Sequence, residues 1–169
     1  MKIFRSELLQ GLDHRLFEID ADSLQIEDLV FHSPSLNCTV TSTDQPDGYK
    51  VALELAVSLR LICDRCLEAF VLDRSLNIEL RLTDNELLAN SNESDIIYFP
   101  DTLLEIDLSP VLRDYIVLAL PLKKLCRESC QGLCPNCGIN RNRDSCSCHL
   151  ERPSSLFEEL SKLNLDDAE

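Results

Sequence analysis

The chain has 169 residues, of which 44% are hydrophobic and 27% are charged, a composition typical of a globular domain with a core of its own. No apolar run approaches the roughly 20 residues that a membrane helix needs, and the N-terminus lacks the apolar block of a signal peptide, so we expect a soluble cytoplasmic protein. The formal net charge of −14 argues against nucleic-acid binding by the molecule as a whole.

Two stretches in the first half of the chain alternate between apolar and polar residues. The first is YKVALELAVSLRLI, starting at Tyr49, and the second is FVLDRSLNIELRL, starting at Phe70, with Arg74 as its one exception. A period of two is typical of a strand with one buried face, and two such strands joined by a short connection form an antiparallel hairpin. The sequence therefore predicts a long hairpin with Cys63 and Cys66 at its tip.

Shorter elements are predicted on both sides of this hairpin. Residues 14–24, 36–43 and 96–99 have the composition of strands, 45–48 is a turn, and the polar segment 83–95 is expected to be a mobile loop. Cys38 lies in the second of these strands and is most simply a small buried hydrophobe.

Two helices are predicted in the second half of the chain. The first has Ser109 as its N-cap and Pro110 at its first helical position, and Pro121 closes it. The second begins near Ser155, where Glu158 completes a capping-box pattern.

The predicted fold class is α+β. It combines an antiparallel β-sheet or small barrel, a long hairpin, one packed helix, and a C-terminal Cys-rich zinc module with a terminal helix. We expect three units: a β domain over residues 1–121 with a helix near 109–120, a Cys-rich zinc-binding module over 122–150, and a C-terminal helix and tail over 151–169.

Six of the nine cysteines are concentrated in CRESCQGLCPNCGINRNRDSCSC, which starts at Cys126. An odd number of cysteines fits poorly with a framework of disulfides, and clustered cysteines in a reducing compartment more often bind metal. In Cys134-Pro-Asn-Cys137-Gly138 the two thiolates can reach one metal, and glycine lets the chain turn back. Four thiolates form the tetrahedral shell that Zn²⁺ prefers, so we predict structural zinc, ahead of an iron–sulfur cluster.

The identity of the four ligands is open at this stage. The simplest closed set is Cys134, Cys137, Cys146 and Cys148. Cys126 and Cys130 could complete that shell in place of Cys146 or Cys148. They could equally join Cys63 and Cys66 in a second site, and that site would fasten the hairpin tip to the C-terminal module. Cys63 and Cys66 could also be a dithiol without metal.

Basic residues are concentrated in this same segment. Residues 121–152 contain six basic and three acidic side chains, so this segment carries +3, while the rest contains 10 basic and 27 acidic residues and carries −17. Any RNA contact is therefore expected to use the basic residues of this segment. The candidates are Lys123, Lys124, Arg127, Arg141 and Arg143. The acidic remainder is either a solvated surface or a docking face for a basic protein.

Residues suited to catalysis are scattered. His14 and His32 are expected to be ordinary surface or turn residues, and His149 could replace a cysteine as a metal ligand. The chain has no P-loop, no GxGxxG and no G-x-S-x-G, and a zinc ion with four cysteine ligands leaves no open position for water. We therefore predict no enzyme, no catalytic residue and no small-molecule substrate.

From about Val51 onward, several segments occur in an order that resembles one family. These segments are CDRCLEAF (residues 63–70), the Ile-Asp-Leu step (106–108), LALP (118–121), and LC-x3-C-x-GLCPNCG-x-N-x-N with a closing CSC (125–148). Together they resemble the YceD-type large-ribosomal-RNA accumulation proteins of bacteria and plastids. Two positions depart from the family pattern: Arg141 stands where a leucine is usual, and Glu151-Arg152-Pro153 stands where many relatives have Asp-Pro-Arg.

The resemblance implies a non-enzymatic role in accumulation of 23S ribosomal RNA and in assembly of the large ribosomal subunit. The expected partner is a large-subunit ribosomal RNA precursor or a basic ribosomal protein. No association with a membrane is expected. The cysteines themselves leave two alternative functions open. One is a zinc-bound thiol redox sensor, and the other is a dithiol oxidoreductase that uses Cys63 and Cys66.

Overall fold

The computed structural model describes residues 1–27, 29–89 and 95–148, so the helix predicted from Ser155 lies outside it. The strands are β1 (Lys2–Phe4), β2 (Arg15–Asp20), β3 (Val30–Phe31), β4 (Ser35–Gln45), β5 (Gly48–Ile62), β6 (Ala69–Thr83), β7 (Ile96–Tyr98) and β8 (Glu105–Asp107). The helices are α1 (Arg5–Gln10), α2 (Glu86–Ala89) and α3 (Ser109–Leu118), and a 3₁₀ turn spans Ala21–Leu24.

The predicted hairpin is confirmed as β5 and β6, which pair along their whole length from Gly48↔Thr83 to Ile62↔Ala69. Every second residue of β5, beginning at Tyr49, is buried. On β6 the apolar side chains are buried near the 45–48 turn but only partly buried toward the tip. The hairpin therefore reaches beyond the main core, and its tip carries Cys63 and Cys66 to the Cys-rich segment.

One sheet contains six of the strands in the order β2-β4-β5-β6-β7, with β3 paired to β5 beside the end of β4. Its end strands do not pair with each other, so the sheet is open rather than a barrel. The sheet is also mixed rather than purely antiparallel, because β7 runs parallel to β6. The strand beyond the 83–95 segment returns in the same direction as β6, and this segment supplies the crossover that a parallel pair requires.

The remaining edge of β6 is long. β7 pairs only with Arg81, Leu82 and Thr83, so the edge from Ala69 to Leu80 has no strand partner among the residues that the structure describes.

The inner face of the sheet is covered by elements from two distant parts of the described chain. β1 pairs with β8, and α3 follows β8 directly. Ile3, Leu108, Leu112 and Ile116 are almost fully buried in the same core as the apolar residues of β5. The predicted helix is thus confirmed, and it packs on the sheet as expected, whereas the β1–α1 region was not predicted.

The start of α3 differs from the prediction by one residue. Ser109 is the first helical residue, and Leu108 occupies the N-cap position without a side-chain cap. The Asp107 carboxylate accepts the N–H of Ser109 at 2.9 Å, so it satisfies a backbone donor at the helix start. This N–H, the Ser109 hydroxyl and the Met1 ammonium lower the pKa of Asp107 to about 2.

The predicted 83–95 loop contains a short helix, α2, for which Asn85 accepts the N–H of Leu87 at 3.0 Å. Residues 90–94 of that loop are outside the described residues. No helix in the described ranges is both long and apolar enough to cross a membrane.

Candidate metal centres at the hairpin tip

The hairpin tip is a tight turn with a cysteine at each end. The N–H of Leu67 donates to the carbonyl oxygen of Cys63 at 2.9 Å, and the N–H of Cys63 donates to the carbonyl oxygen of Glu68 at 2.9 Å. Leu67 adopts a φ of 59°, in the left-handed region that a bulky side chain rarely enters. The backbone thereby turns back after Cys66 and directs both sulfurs to one side.

The turn from Cys134 to Cys137 repeats this arrangement. Here the N–H of Gly138 donates to the carbonyl oxygen of Cys134 at 2.8 Å, and the N–H of Cys134 donates to the carbonyl oxygen of Ile139 at 2.8 Å. Gly138 has a φ of 73° and occupies the position equivalent to Leu67. The two Cys-x-x-Cys segments are therefore the same turn, built once with glycine and once with leucine at the left-handed position.

The eight cysteines outside β4 form two clusters. The inner cluster is Cys63, Cys66, Cys126 and Cys130, and the outer cluster is Cys134, Cys137, Cys146 and Cys148. Within each cluster the four Sγ atoms lie within 4.8 Å of one another. The structure thus places Cys126 and Cys130 beside the hairpin-tip cysteines, rather than beside the Cys134 turn.

The inner cluster has the dimensions of a tetrahedral metal site. The Sγ atoms of Cys63 and Cys130 are 3.8 Å apart, as are those of Cys66 and Cys126. Four sulfurs at about 2.3 Å from one zinc ion would be about 3.8 Å from each other, whereas a disulfide brings two sulfurs to about 2.0 Å. All nine cysteines are free thiols. The donor set therefore fits a thiophilic, tetrahedral metal ion.

Backbone N–H groups favour the thiolate form in both turns. Burial opposes ionisation of Cys63, but N–H groups of Cys126, Cys66 and Arg65 point at its sulfur and lower its pKa to about 6. N–H groups of Cys137 and Asn136 lower the pKa of Cys134 to about 6 as well.

The pKa values of two neighbouring thiols are shifted in the opposite direction. Burial and the sulfur of Cys130 raise the pKa of Cys126 to about 12. The nearby sulfur of Cys137, followed by burial, raises the pKa of Cys148 to about 12. Four such thiols ionise together only when a cation compensates for their charge.

The Cys-rich segment is also held on the hairpin tip by hydrogen bonds. The N–H of Asp64 donates to the carbonyl oxygen of Lys124 at 2.7 Å, and the N–H of Lys124 donates to the Asp64 carboxylate at 2.7 Å. The Arg65 guanidinium donates to the carbonyl oxygen of Cys130 at 2.8 Å. A Cβ on Gly132 would lie 2.9 Å from the Arg65 carbonyl oxygen, so the two backbones touch. Asp64 and Arg65 were not predicted as site residues; their place inside the Cys-x-x-Cys turn was the available signal.

The five candidate RNA-binding residues divide into two groups. Arg143 forms an ion pair with Glu68 at 2.6 Å, and the Arg127 guanidinium donates to the side chain of Asn142 at 2.9 Å. Within the described ranges, the charged groups of Lys123, Lys124 and Arg141 have no such partner. Arg141 and Arg143 line an open cleft of about 470 Å³ beside the outer cluster.

The other candidate residues are placed as follows. His14 and His32 are exposed, as predicted, and His14 contacts the Asp13 carboxylate at 2.7 Å. His149 lies outside the described residues. Cys38 is fully buried in the core, as predicted, and burial raises its pKa to about 11.

Comparison with known proteins gives one family. The family described as "Large ribosomal RNA subunit accumulation protein YceD" matches residues 51–164, a range that contains all eight clustered cysteines. Two plant proteins, each named "Large ribosomal RNA subunit accumulation protein YCED homolog 1, chloroplastic", are similar to part of the chain.

The protein from Arabidopsis thaliana is 33% identical over 69 residues, which cover 41% of this chain and 22% of the relative. The protein from Zea mays is 44% identical over 55 residues, which cover 32% of this chain and 19% of the relative. The chain thus aligns with about a fifth of the length of these relatives. No solved structure matches.

Proposed function

This chain belongs to the YceD family of large ribosomal RNA subunit accumulation proteins, and we propose that it is a non-enzymatic assembly factor for the large ribosomal subunit. It promotes accumulation of large-subunit ribosomal RNA by binding a precursor of that RNA. The observation that carries this proposal is a set of cations that have no ion-pair partner among the described residues, on the cysteine-rich segment that the family match includes. The names of the plant relatives support the same role.

The RNA contact is proposed to use Lys123, Lys124 and Arg141. Glu68 compensates the charge of Arg143, and the Arg127 guanidinium is held by the Asn142 side chain, so both are less available to a phosphate. Three phosphate contacts on an acidic chain give weak binding with a moderate dependence on salt. Raising the salt from about 50 to about 200 mM should lower the affinity for single-stranded RNA by roughly 20-fold.

A charge-reversal variant tests this contact. Replacing Lys123, Lys124 and Arg141 by glutamate should abolish co-sedimentation with large-subunit precursors in a sucrose gradient. The matched control reverses three cations outside the Cys-rich segment that have no ion-pair partner among the described residues, Arg60, Arg74 and Arg113, with the same change in net charge. Retention of the first variant would identify a basic ribosomal protein, docked on the acidic sheet, as the contact. Loss of association in both variants would show only a general charge effect and would overturn the RNA contact through Lys123, Lys124 and Arg141.

We propose that each cluster binds one zinc ion, and that both ions are structural. Four cysteine thiolates favour zinc over harder cations, and a closed shell of four leaves no position for water or substrate. Elemental analysis of the reduced protein should give two equivalents of zinc per chain, without the visible absorption of an iron–sulfur cluster. Metal-free protein in which all eight clustered thiols react in the native state would overturn this assignment.

The two alternatives from the sequence concern the same cysteines. Cys63 and Cys66 are both buried, and each lies 3.8 Å from a cysteine of the other segment, so the structure offers no accessible dithiol there. A redox sensor would use the outer cluster, where Cys137 and Cys148 are exposed. Zinc release on mild peroxide treatment, accompanied by loss of precursor association, would favour the sensor.

A further inference from the structure

Asn142 connects the two cysteine clusters. It lies in the loop between Cys137 and Cys146, which the outer cluster closes. Its side-chain amide nevertheless donates to the Sγ of Cys130 in the inner cluster, at 3.3 Å. A hydrogen bond to a thiolate ligand favours its charged form and orients the sulfur toward the metal.

The orientation of this amide is fixed by three further hydrogen bonds of its own atoms, and a fourth holds the backbone of Asn142 beside them. Its oxygen accepts the N–H of Gln131 and the guanidinium of Arg127, both at 2.9 Å. The Oδ1 atom of Asn140 accepts two hydrogen bonds from Asn142, one from its Nδ2 at 2.8 Å and one from its backbone N–H at 3.0 Å. Because hydrogen-bond donors surround the amide oxygen of Asn142 and an acceptor faces its nitrogen, only one orientation of the amide satisfies them all. In that orientation the NH₂ group faces Cys130.

Asn140 in turn ties this network to the outer turn. Asn140 and Leu133 form an antiparallel bridge next to Cys134, and the N–H of Arg141 donates to the Gly132 carbonyl oxygen at 2.9 Å. The Asn-x-Asn step in the sequence is therefore a continuous path of hydrogen bonds from the backbone of the outer turn to a sulfur of the inner cluster.

We propose that Asn142 is a positioning residue that couples the two metal centres, so that metal in the outer cluster strengthens metal binding in the inner cluster. This inference rests on the proposed metal centres and goes beyond them, because two independent sites would satisfy that proposal equally well. An ordered outer loop holds the amide against Cys130, and a disordered loop withdraws it. Coupling between two binding equilibria is reciprocal, so metal in the inner cluster strengthens the outer site by the same factor.

Removal of a hydrogen bond to a metal ligand typically lowers metal affinity by 10- to 100-fold. We therefore expect Asn142→Asp to weaken zinc binding at the inner cluster by about that factor. The substitution keeps the size of the side chain, removes the amide donor, and places a carboxylate against a thiolate. Asn77→Asp, at an exposed position of β6, is the matched control and should leave both affinities unchanged.

The experiment titrates the reduced full-length chain with zinc against a chromophoric chelator, and cobalt(II) spectra report tetrahedral thiolate coordination. Single-centre variants assign the affinities: Cys137→Ser with Cys148→Ser removes the exposed outer ligands, and Cys66→Ser removes the inner centre. The outer-centre variant should itself lower inner affinity by roughly 10- to 100-fold. Asn142→Asp should add little more in that background, because the loop that presents it is already released.

The coupling would be overturned if Asn142→Asp and the outer-centre variant had additive effects on zinc affinity at the inner cluster. It would also be overturned if Asn142→Asp left that affinity unchanged. Circular dichroism of each variant separates these outcomes from loss of the fold. A wild-type chain that binds two equivalents with no coupling would leave the metal centres intact and reject this inference alone. A wild-type chain that binds no metal would reject both.

Discussion

The inner and outer clusters contain the same Cys-x-x-Cys turn in different surroundings. In the inner cluster Cys63, Cys66 and Cys130 are at most 3% exposed and pack against Phe70 and Leu125. In the outer cluster Cys137 and Cys148 are exposed.

The clusters also differ in how far apart their cysteines lie in the sequence. The inner cluster brings together cysteines that are 60 residues apart or more, whereas the outer cluster spans only residues 134–148. A crosslink across a long loop removes more conformational freedom from the unfolded chain than one across a short loop. With metal bound, the inner cluster would therefore fix tertiary structure, and the outer cluster would order a local loop that presents Arg141.

The largest effect on stability is expected when one cysteine of each cluster is substituted in turn and the two variants are compared. Cys66→Ser should abolish inner metal binding, release residues 121–148 from the hairpin tip, and lower the Tm by roughly 10 °C. Cys148→Ser should abolish outer metal binding with a smaller change in Tm. Elemental analysis and thermal unfolding measure both effects.

Cys38→Ala is the control for this comparison, because Cys38 lies in the main core and should leave two equivalents of zinc in place. Equal Tm changes in Cys66→Ser and Cys148→Ser would show that the clusters do not differ as their burial suggests.

A core substitution tests whether metal binding at the clusters depends on the packing of the sheet. Leu55 is fully buried in β5, so Leu55→Ala should lower the free energy of unfolding by about 3 kcal/mol through lost burial and a residual cavity. Zinc stoichiometry should stay at two, because the inner cluster lies beyond the main core. Denaturant unfolding with elemental analysis measures both quantities, and loss of zinc in this variant would show that sheet and clusters fold as one unit.

The smallest expected effect compares the two turns at their left-handed position. Leu67→Gly should stabilise the chain by about 0.5 kcal/mol, because glycine relieves the backbone strain and Leu67 is 65% exposed. Gly138→Ala should cost about 1 kcal/mol, since a Cβ there meets open space and only the backbone conformation is penalised. Denaturant midpoints measure both changes. The same sign in both variants would contradict the equivalence of the two turns.

The hairpin was predictable from the sequence because its information is local: seven apolar residues alternate along β5, and all seven are buried. The Cys-x-x-Cys turns were predictable for the same reason. The partners of Cys126 and Cys130 were not, because their position depends on contacts of Lys124 with Asp64, which no local pattern encodes.

Other features lacked a periodic signal. β1, α1 and β8 are each six residues or fewer, too short for a period to emerge. β7 was predicted as a strand, but its parallel pairing is a property of tertiary structure. The contact of Asn142 with Cys130 depends on the meeting of two loops, and the Asn-x-Asn spacing by itself does not specify it.

The long open edge of β6 has a consequence for amide exchange. Arg81 donates its N–H to Asp95 on the β7 side, so every second residue back along the strand also directs its N–H away from β5. In the described chain these N–H groups have no backbone acceptor from Val71 to Glu79, while their neighbours are bonded to β5. Hydrogen exchange along β6 should therefore alternate, fast at odd-numbered residues and slow at even-numbered ones. Exchange that becomes uniformly slow in a complex would reveal an added strand on this edge.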